Sequence, residues 1–442
     1  MPPSGPSHIP AAPSTATSGA RELVWTRLTV LAGIVFAGWA LATAFHYYHE
    51  TVLGHGYPYS TFVFTPVHRF GDLIEAWTVA ARANPYWTGD TPSGANYFPL
   101  AYALLGLLRS VSQHTLLGGY LLVTFAAMGL ILAGWLRSER ERFRGDNRWP
   151  AVVMLAAALT FLSYPLLLAV DRGNVEPLIA VLVVAAIALL ERERPGAGAL
   201  VLAVAAALKG YPLAFFGLWV RRRQFVAAAA GVGATALLVV APGLWLEGGV
   251  AHTLAGLRHG LDAFHELYVV GGRAGRFSSD WINAVRLLGR ATQLELPMAQ
   301  VVTAYERLVL PVAALLGLHA MFLAQTRSRA LLALVSLVLV FPNITNDYKL
   351  VLLLPVALTW ITDPPAGRWR DRAFVIAMGL LLVPKQYAFF HGSDASISCL
   401  LNPLLVTTLV ATLWPTSDER AGAAALMASA RARASALATR SR

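Results

Sequence analysis

Charge is scarce in this sequence. Of 442 residues, 13% are charged and 56% are hydrophobic, where a soluble domain carries roughly 25% charged residues. The deficit runs the length of the chain and excludes an ordinary cytosolic enzyme. Cysteine is nearly absent too: Cys399 is the sole one, which excludes an internal disulfide framework and a cysteine-rich zinc site. Lysine is rare, with Lys209, Lys349 and Lys385 set against 32 arginines. No phosphate-binding glycine loop, dinucleotide fingerprint, nucleophile elbow or HExxH is present. The histidines His46, His49, His55 and His68 fit no metal spacing, so no resident metal or cofactor is expected, and assistance by a divalent ion stays open. What the chain has instead is long apolar runs.

A helix needs about 20 apolar residues to cross a bilayer core. Runs over 28–45, 115–136, 151–170, 175–190, 225–245 and 308–324 approach or meet that length. Shorter ones cover 197–208, 212–220, 331–341, 350–361, 374–389 and 400–414. The expected fold is an all-α polytopic membrane protein with about twelve transmembrane helices. The run 98–108 is shorter still and reads as an interfacial helix in the first outside loop.

Basic residues orient the layout. With the N-terminus inside, 22 of the 35 lysines and arginines fall on inside segments, including 137–148, 221–223, 368–372 and the tail. The 13 outside are spread over far more loop, as the positive-inside rule requires. Counting 98–108 as a span would move the arginine-rich 137–148 outside. The expected organisation is a disordered N-terminus over 1–20, one transmembrane domain over 21–414, and a basic cytoplasmic tail over 415–442. Both termini face the cytoplasm of a cell membrane, and the large outside loops are 46–114 and 246–307. Topology thus explains much of the net charge of +11, and nucleic acid is not an expected partner.

The unusual polar residues gather on the outside. Asp72 precedes an amphipathic stretch, 73–83. It fits a helix N-cap or a general base that takes the proton of an attacking hydroxyl. Glu75, one turn later, is the reserve candidate. Asp171-Arg172-Gly173-Asn174 opens an inward helix, with Asn174 a natural cap. Arg172 is needed by neither capping nor topology. Lys209-Gly210-Tyr211-Pro212 breaks one apolar stretch into two half-length segments, and 343–349, ending Asn346-Asp347-Tyr348-Lys349, does the same further on. Polar breaks of this kind are tolerated beside a cavity and point to a substrate site. Lysine is a compact charge suited to phosphate, and inward helices present N–H groups that attract it. Lys209 and Lys349 are therefore candidate phosphate ligands, as are Arg69 and Arg172, although lysines also snorkel to interfaces. Trp281, in the second loop, either stacks on a sugar or anchors at the interface.

Three stretches together resemble the polyprenyl-phosphate-sugar-dependent glycosyltransferases of the C-type superfamily, and family 87, the alpha-mannosyltransferase group, in particular. They are Asp72 with Asn84-Pro85-Tyr86 and Tyr97-Phe98-Pro99-Leu100; Gly173-Asn174 through Leu208-Lys209-Gly210-Tyr211-Pro212 to Arg221-Arg222-Arg223; and Asn346-Asp347-Tyr348-Lys349 before Leu352-Leu353-Leu354-Pro355. The resemblance implies a polyprenyl-phosphate donor carrying one sugar, an inverting displacement with Asp72 as base, and a lipid-linked or glycan acceptor outside. Its implied partners are membrane lipids, that donor and that acceptor. The rival expectations are a pentose (arabinose) transferase, a transporter or flippase, and a non-catalytic assembly subunit. A transporter predicts an internal repeat and polar sites at mid-bilayer; no repeat is evident, and the polar residues cluster at one surface. A non-catalytic subunit predicts loss of the first-loop acid, which is present.

Overall fold

The computed structural model describes residues 15–65, 69–273, 277–341, 345–390, 395–415 and 428. His68, Gly275-Arg276, Asn343-Ile344 and, of the expected terminal segments 1–20 and 415–442, the residues 1–14 and 416–442 (residue 428 apart) lie outside them.

The chain opens with a long helix α1 (Thr15–Tyr47) and then builds the first loop from α2 (Gly71–Ala80), a two-residue hairpin β1 (Trp87–Thr88) and β2 (Thr91–Pro92), and α3 (Pro99–Gly106). Helices α4 (Gln113–Glu139), α5 (Trp149–Phe161), α6 (Tyr164–Arg172), α7 (Glu176–Glu191) and α8 (Pro195–Leu208) follow. A 3-10 turn, Tyr211–Phe216, leads into α9 (Gly217–Arg221) and α10 (Phe225–Val240). The second loop contributes α11 (Gly249–Phe264) and α12 (Trp281–Ala291). Then come α13 (Met298–Leu318), α14 (Arg327–Val340), a second 3-10 turn Asp347–Leu352, α15 (Leu353–Thr362), α16 (Arg368–Leu381) and α17 (Ser398–Thr412).

Local signals set the boundaries. Proline stands in the first turn of α3, α5, α6, α7 and α8, where its missing N–H has no helical partner to lose. Ser112, Asp280 and Thr326 cap α4, α12 and α14 by accepting the N–H of Thr115, Asn283 and Arg329.

Each apolar run contains helix. Among the described residues, four helical stretches are long and apolar enough to cross a bilayer: 18–52, 113–139, 225–244 and 298–323. Two expectations need correction. The run 151–170 is not one straight span: it breaks at Leu162-Ser163, and α5 and α6 meet at 44°. Pro165 at the start of α6 cannot continue the hydrogen-bond ladder of α5. The run 374–389 is helical only to Leu381, after which Pro384 ends it.

Helix α15 sits at the centre, with Leu353, Leu354, Val356, Ala357 and Ile361 all fully buried. Helices α7 and α14 flank it within the same core. At its C-terminal end Arg27 donates to the carbonyls of Trp360 (2.7 Å) and Asp363 (2.6 Å), pairs with Asp371 (3.0 Å), and lies over the Trp360 ring. Positive charge at a helix C-terminus is favourable, and this one arginine ties α1, α15 and α16 together. The outer helices present bare apolar faces: Leu122 on α4 is 72% exposed and Val226 on α10 86%. In water such faces would aggregate; against lipid tails they are satisfied. The protein is a membrane protein.

Candidate active site

The site begins where α2 meets the end of α6. Gly173 closes α6 with φ +69°, a left-handed conformation that glycine adopts without strain. A Cβ there would stand 2.7 Å from the Leu73 Cβ, so the absence of a side chain lets α2 dock. The Phe70 N–H donates to the Asp171 carbonyl across the same junction.

This docking fixes Asp72. The N-cap position of α2 is Phe70, so Asp72 lies inside the first turn and is not the cap that its sequence position allowed. Its Oδ1 instead accepts Arg172 Nη2 at 2.6 Å, and its Oδ2 accepts Asn174 Nδ2 at 2.7 Å. Both oxygens are thus oriented, and each keeps acceptor capacity.

Asn174 is held in turn from the other side. Lys209 Nζ donates to its Oδ1 at 3.1 Å and to Glu176 Oε1 at 2.8 Å. Because Lys209 has only donors, it fixes which end of the amide faces Asp72. Asn174 is not the N-cap that its sequence position suggested, since that position of α7 is Val175, but its Oδ1 accepts the Glu176 N–H at 3.3 Å. The Tyr120 hydroxyl binds its carbonyl at 2.9 Å. Glu176 is fully buried and takes a second short hydrogen bond from Tyr211. Tyr97 and Tyr348 stand over Lys209, their ring centroids 5.5 and 5.6 Å from Nζ. Burial works against the Lys209 charge, but Glu176 outweighs it and raises the ammonium above its ordinary range. Arg172 behaves alike, burial being overcome by Asp72. Asp171 next door is pushed up to about 6, chiefly by burial.

Asp72 opens onto a cavity of about 640 Å³. Helix α2 lines it with Asp72, Glu75, Ala76 and Val79, positions that share one helical face. Arg172, Tyr97, Asn346 and Tyr348 also line it. The second loop supplies Arg273, Arg286 and Arg290. Arg286 is buried and braced on the carbonyls of Val269 and Val270 and on Asn283. Arg273 and Arg290 are exposed into the cavity region. One enclosure therefore joins a carboxylate face to an arginine face.

The expected site residues divide into groups. Asp72, Glu75, Arg172 and Tyr348 reach the cavity. Asn174 holds Asp72 directly, Lys209 holds Asn174, and Tyr211 stands one step further back on Glu176. Lys349 lies 5.1 Å from the Tyr211 ring centroid, and burial lowers its ammonium to about 8. Arg69 stands on the exposed turn before α2, its N–H on the Thr65 carbonyl. Asp347 turns away into a buried network with Ser279 and Asn402. Trp281 donates to Thr407 on α17 and does not line the cavity. The three arginines that the second loop adds, Arg273, Arg286 and Arg290, were missed by sequence reasoning, although Arg286 and Arg290, one turn apart on an amphipathic helix in an expected outside loop, ran against the positive-inside trend.

The profile of glycosyltransferase family 87 matches residues 96–342, more than half of the chain. The chain belongs to this family. No curated protein matches it. The matched span contains Arg172, Asn174, Lys209 and the arginine face. It begins after Asp72.

Proposed function

We propose that this family 87 membrane glycosyltransferase moves a sugar, mannose by its sequence resemblance, from a polyprenyl-phosphate donor to a hydroxyl of a lipid-linked or glycan acceptor. The observation that carries the reading is the cavity itself: a carboxylate fixed at both oxygens shares one enclosure with three arginines from the second loop.

The chemistry follows from that pairing. The acceptor hydroxyl gives its proton to Asp72 as its oxygen forms a bond to the anomeric carbon. The bond from that carbon to the phosphate oxygen breaks, and the phosphate departs with the electron pair. A departing phosphate needs positive charge aimed at it, and arginine's planar fork suits phosphate. We assign Arg273 and Arg290 to this task, with Arg286 shaping the pocket floor. Lys209 then serves Asp72 through Asn174 rather than the phosphate, and Arg172 orients the base. A single displacement inverts the anomeric carbon. Glu75, three residues on and in the same cavity, is placed to bind acceptor hydroxyls.

In this reading the chain crosses the cell membrane twelve times, with both termini cytoplasmic and the Asp72 cavity on the outer or periplasmic face. Loops 46–114 and 246–307 cover the site, and the prenyl chain leaves it beside the broken segments at Tyr211 and Asp347.

The test is sugar transfer in proteoliposomes offered radiolabelled polyprenyl-phosphate-mannose or polyprenyl-phosphate-arabinose with extracted membrane lipids. The reading expects transfer from mannose donor with inversion of the anomer. Retention would refute the single displacement. Transfer from arabinose donor alone would replace the sugar. Facilitated movement of donor across the bilayer without transfer would favour a flippase.

A further inference from the structure

A second cavity lies at the opposite end of the helices from Asp72. It is a trough of about 500 Å³ between α4, α7, α14 and α15. Its walls are apolar, formed by Ile131, Val181, Val184, Leu331, Val335 and Val356. Its floor exposes Pro355 and Thr359 of the otherwise buried α15. The trough is open at the side, where Leu130 on α4 is 69% exposed.

One end of this trough is charged. Arg137 in the last turn of α4, Arg192 just after α7 and Arg327 at the start of α14 form its rim. Glu191 is the one carboxylate among the residues lining it, and it pairs with Arg327 at 2.9 Å. Three positive charges against one negative leave the rim at +2. Neither Arg137 nor Arg192 has a carboxylate at ion-pair distance among the described residues. A narrower cavity of about 230 Å³ adjoins across Glu191 and Arg327 and adds Arg221 and Arg222.

The dimensions fit one leaflet. Lining residues on α7 and at its C-cap run from Ala180 to Arg192, a rise of about 18 Å at 1.5 Å per residue. Half of a bilayer core is about 15 Å. An apolar trough of leaflet depth with a cationic rim matches an acyl chain below an anionic headgroup. Basic pockets between helices on the cytoplasmic side take such headgroups.

We propose that this trough binds one anionic glycerophospholipid, its phosphate at Arg137, Arg192 and Arg327 and one acyl chain along α7. The site is distinct from the transfer cavity: Glu176 to Glu191 spans α7, which separates the rim from the Asp72 network by about 22 Å. It rests on the membrane-spanning nature of the chain and not on the transfer reaction. A lipid seated here bridges α4 and α7 to α14 and α15, and so steadies the core that carries Asn174 and Lys349.

The test titrates phosphatidylglycerol or phosphatidylcholine into the purified, delipidated full chain in neutral detergent. Binding is read by native mass spectrometry and by the melting midpoint. The expected result is one phosphatidylglycerol bound tightly, with phosphatidylcholine weaker by about thirtyfold for two unpaired arginines. The Arg137→Gln/Arg192→Gln variant brings phosphatidylglycerol down to the phosphatidylcholine level. The exposed positions of both side chains leave the fold intact. Val184→Trp, which fills the trough, lowers binding of both lipids. Equal binding of the two lipids by the native chain would overturn the proposal. So would selectivity that survives the double variant, or one-for-one displacement of phosphatidylglycerol by polyprenyl phosphate, which would make the occupant a prenyl chain.

Discussion

Lys209→Met separates two roles that one lysine at this position could play. The structure gives it two partners: the Glu176 carboxylate, whose side chain is fully buried, and the Asn174 amide that orients Asp72. Methionine matches the length and removes the charge. Glu176 then keeps its bond from Tyr211 and the nearby charge of Lys349. Breaking a buried pair from one side costs about 3–5 kcal/mol where the remaining charge is uncompensated, and Lys349 puts this case at or below about 3 kcal/mol. Adding Glu176→Gln removes that charge, and the double variant should recover to within about 1–2 kcal/mol of the native chain. Thermal or denaturant midpoints in detergent measure the cycle. Catalysis should respond separately. With the lysine gone, the Asn174 amide can turn, and Asp72 loses one fixed donor. A single positioning hydrogen bond is worth about 1 kcal/mol, so kcat should fall roughly fivefold to tenfold with donor Kd unchanged. A donor Kd weakened tenfold at unchanged kcat would refute the positioning role and return Lys209 to the phosphate. Single-variant costs that simply add would refute the buried pair.

Other perturbations follow from the same geometry. Gly173→Ala imposes a left-handed backbone on a residue with a Cβ and drives that atom into Leu73; the expected loss is about 1–3 kcal/mol of stability, with activity falling further than that of a surface control. Arg273→Gln and Arg290→Gln should each weaken donor binding about tenfold while leaving the melting midpoint in place, since both side chains are exposed. Lys349 carries a lowered ammonium, burial holding it near 8 against an ordinary 10.5. Its charge is therefore a stability penalty that is full below pH 8 and gone by pH 10.5. Lys349→Met should raise the melting midpoint at pH 7, and the gain should fade as pH climbs through that window.

Much of this was legible in the sequence because a bilayer is a strict solvent. It demands long apolar helices, and these leave marks that need no tertiary knowledge. The twelve runs were visible for that reason, as was α3, whose short apolar stretch begins at Pro99. The two corrected boundaries failed where a proline or a serine interrupts an apolar run, at Ser163 and at Pro384, since composition alone does not register a break in hydrogen bonding. At the site, the acid before an amphipathic stretch and the polar breaks at 209–212 and 343–349 pointed to one region, and Asp72, Arg172, Asn174, Lys209 and Tyr211 do converge. Their division of labour was not legible. That Glu176 claims Lys209 depends on α7 and α8 lying side by side, a distance of 33 residues in sequence. The arginine face depends on how the second loop folds over α2, and nothing local in 264–290 records that.

The central claim is that Asp72 takes the acceptor's proton. Asp72→Asn keeps the shape and can still meet Arg172 and Asn174 only in part, because an amide offers one acceptor oxygen where the carboxylate offers two. The decisive measurement is single-turnover sugar transfer in proteoliposomes by the native chain and by this variant, with donor Kd and melting midpoint recorded on the same samples. The account predicts a fall in rate of at least 100-fold, the usual weight of a general base, with donor Kd within about threefold of native. Transfer at the native rate by a folded Asp72→Asn protein would contradict it and move the base to Glu75.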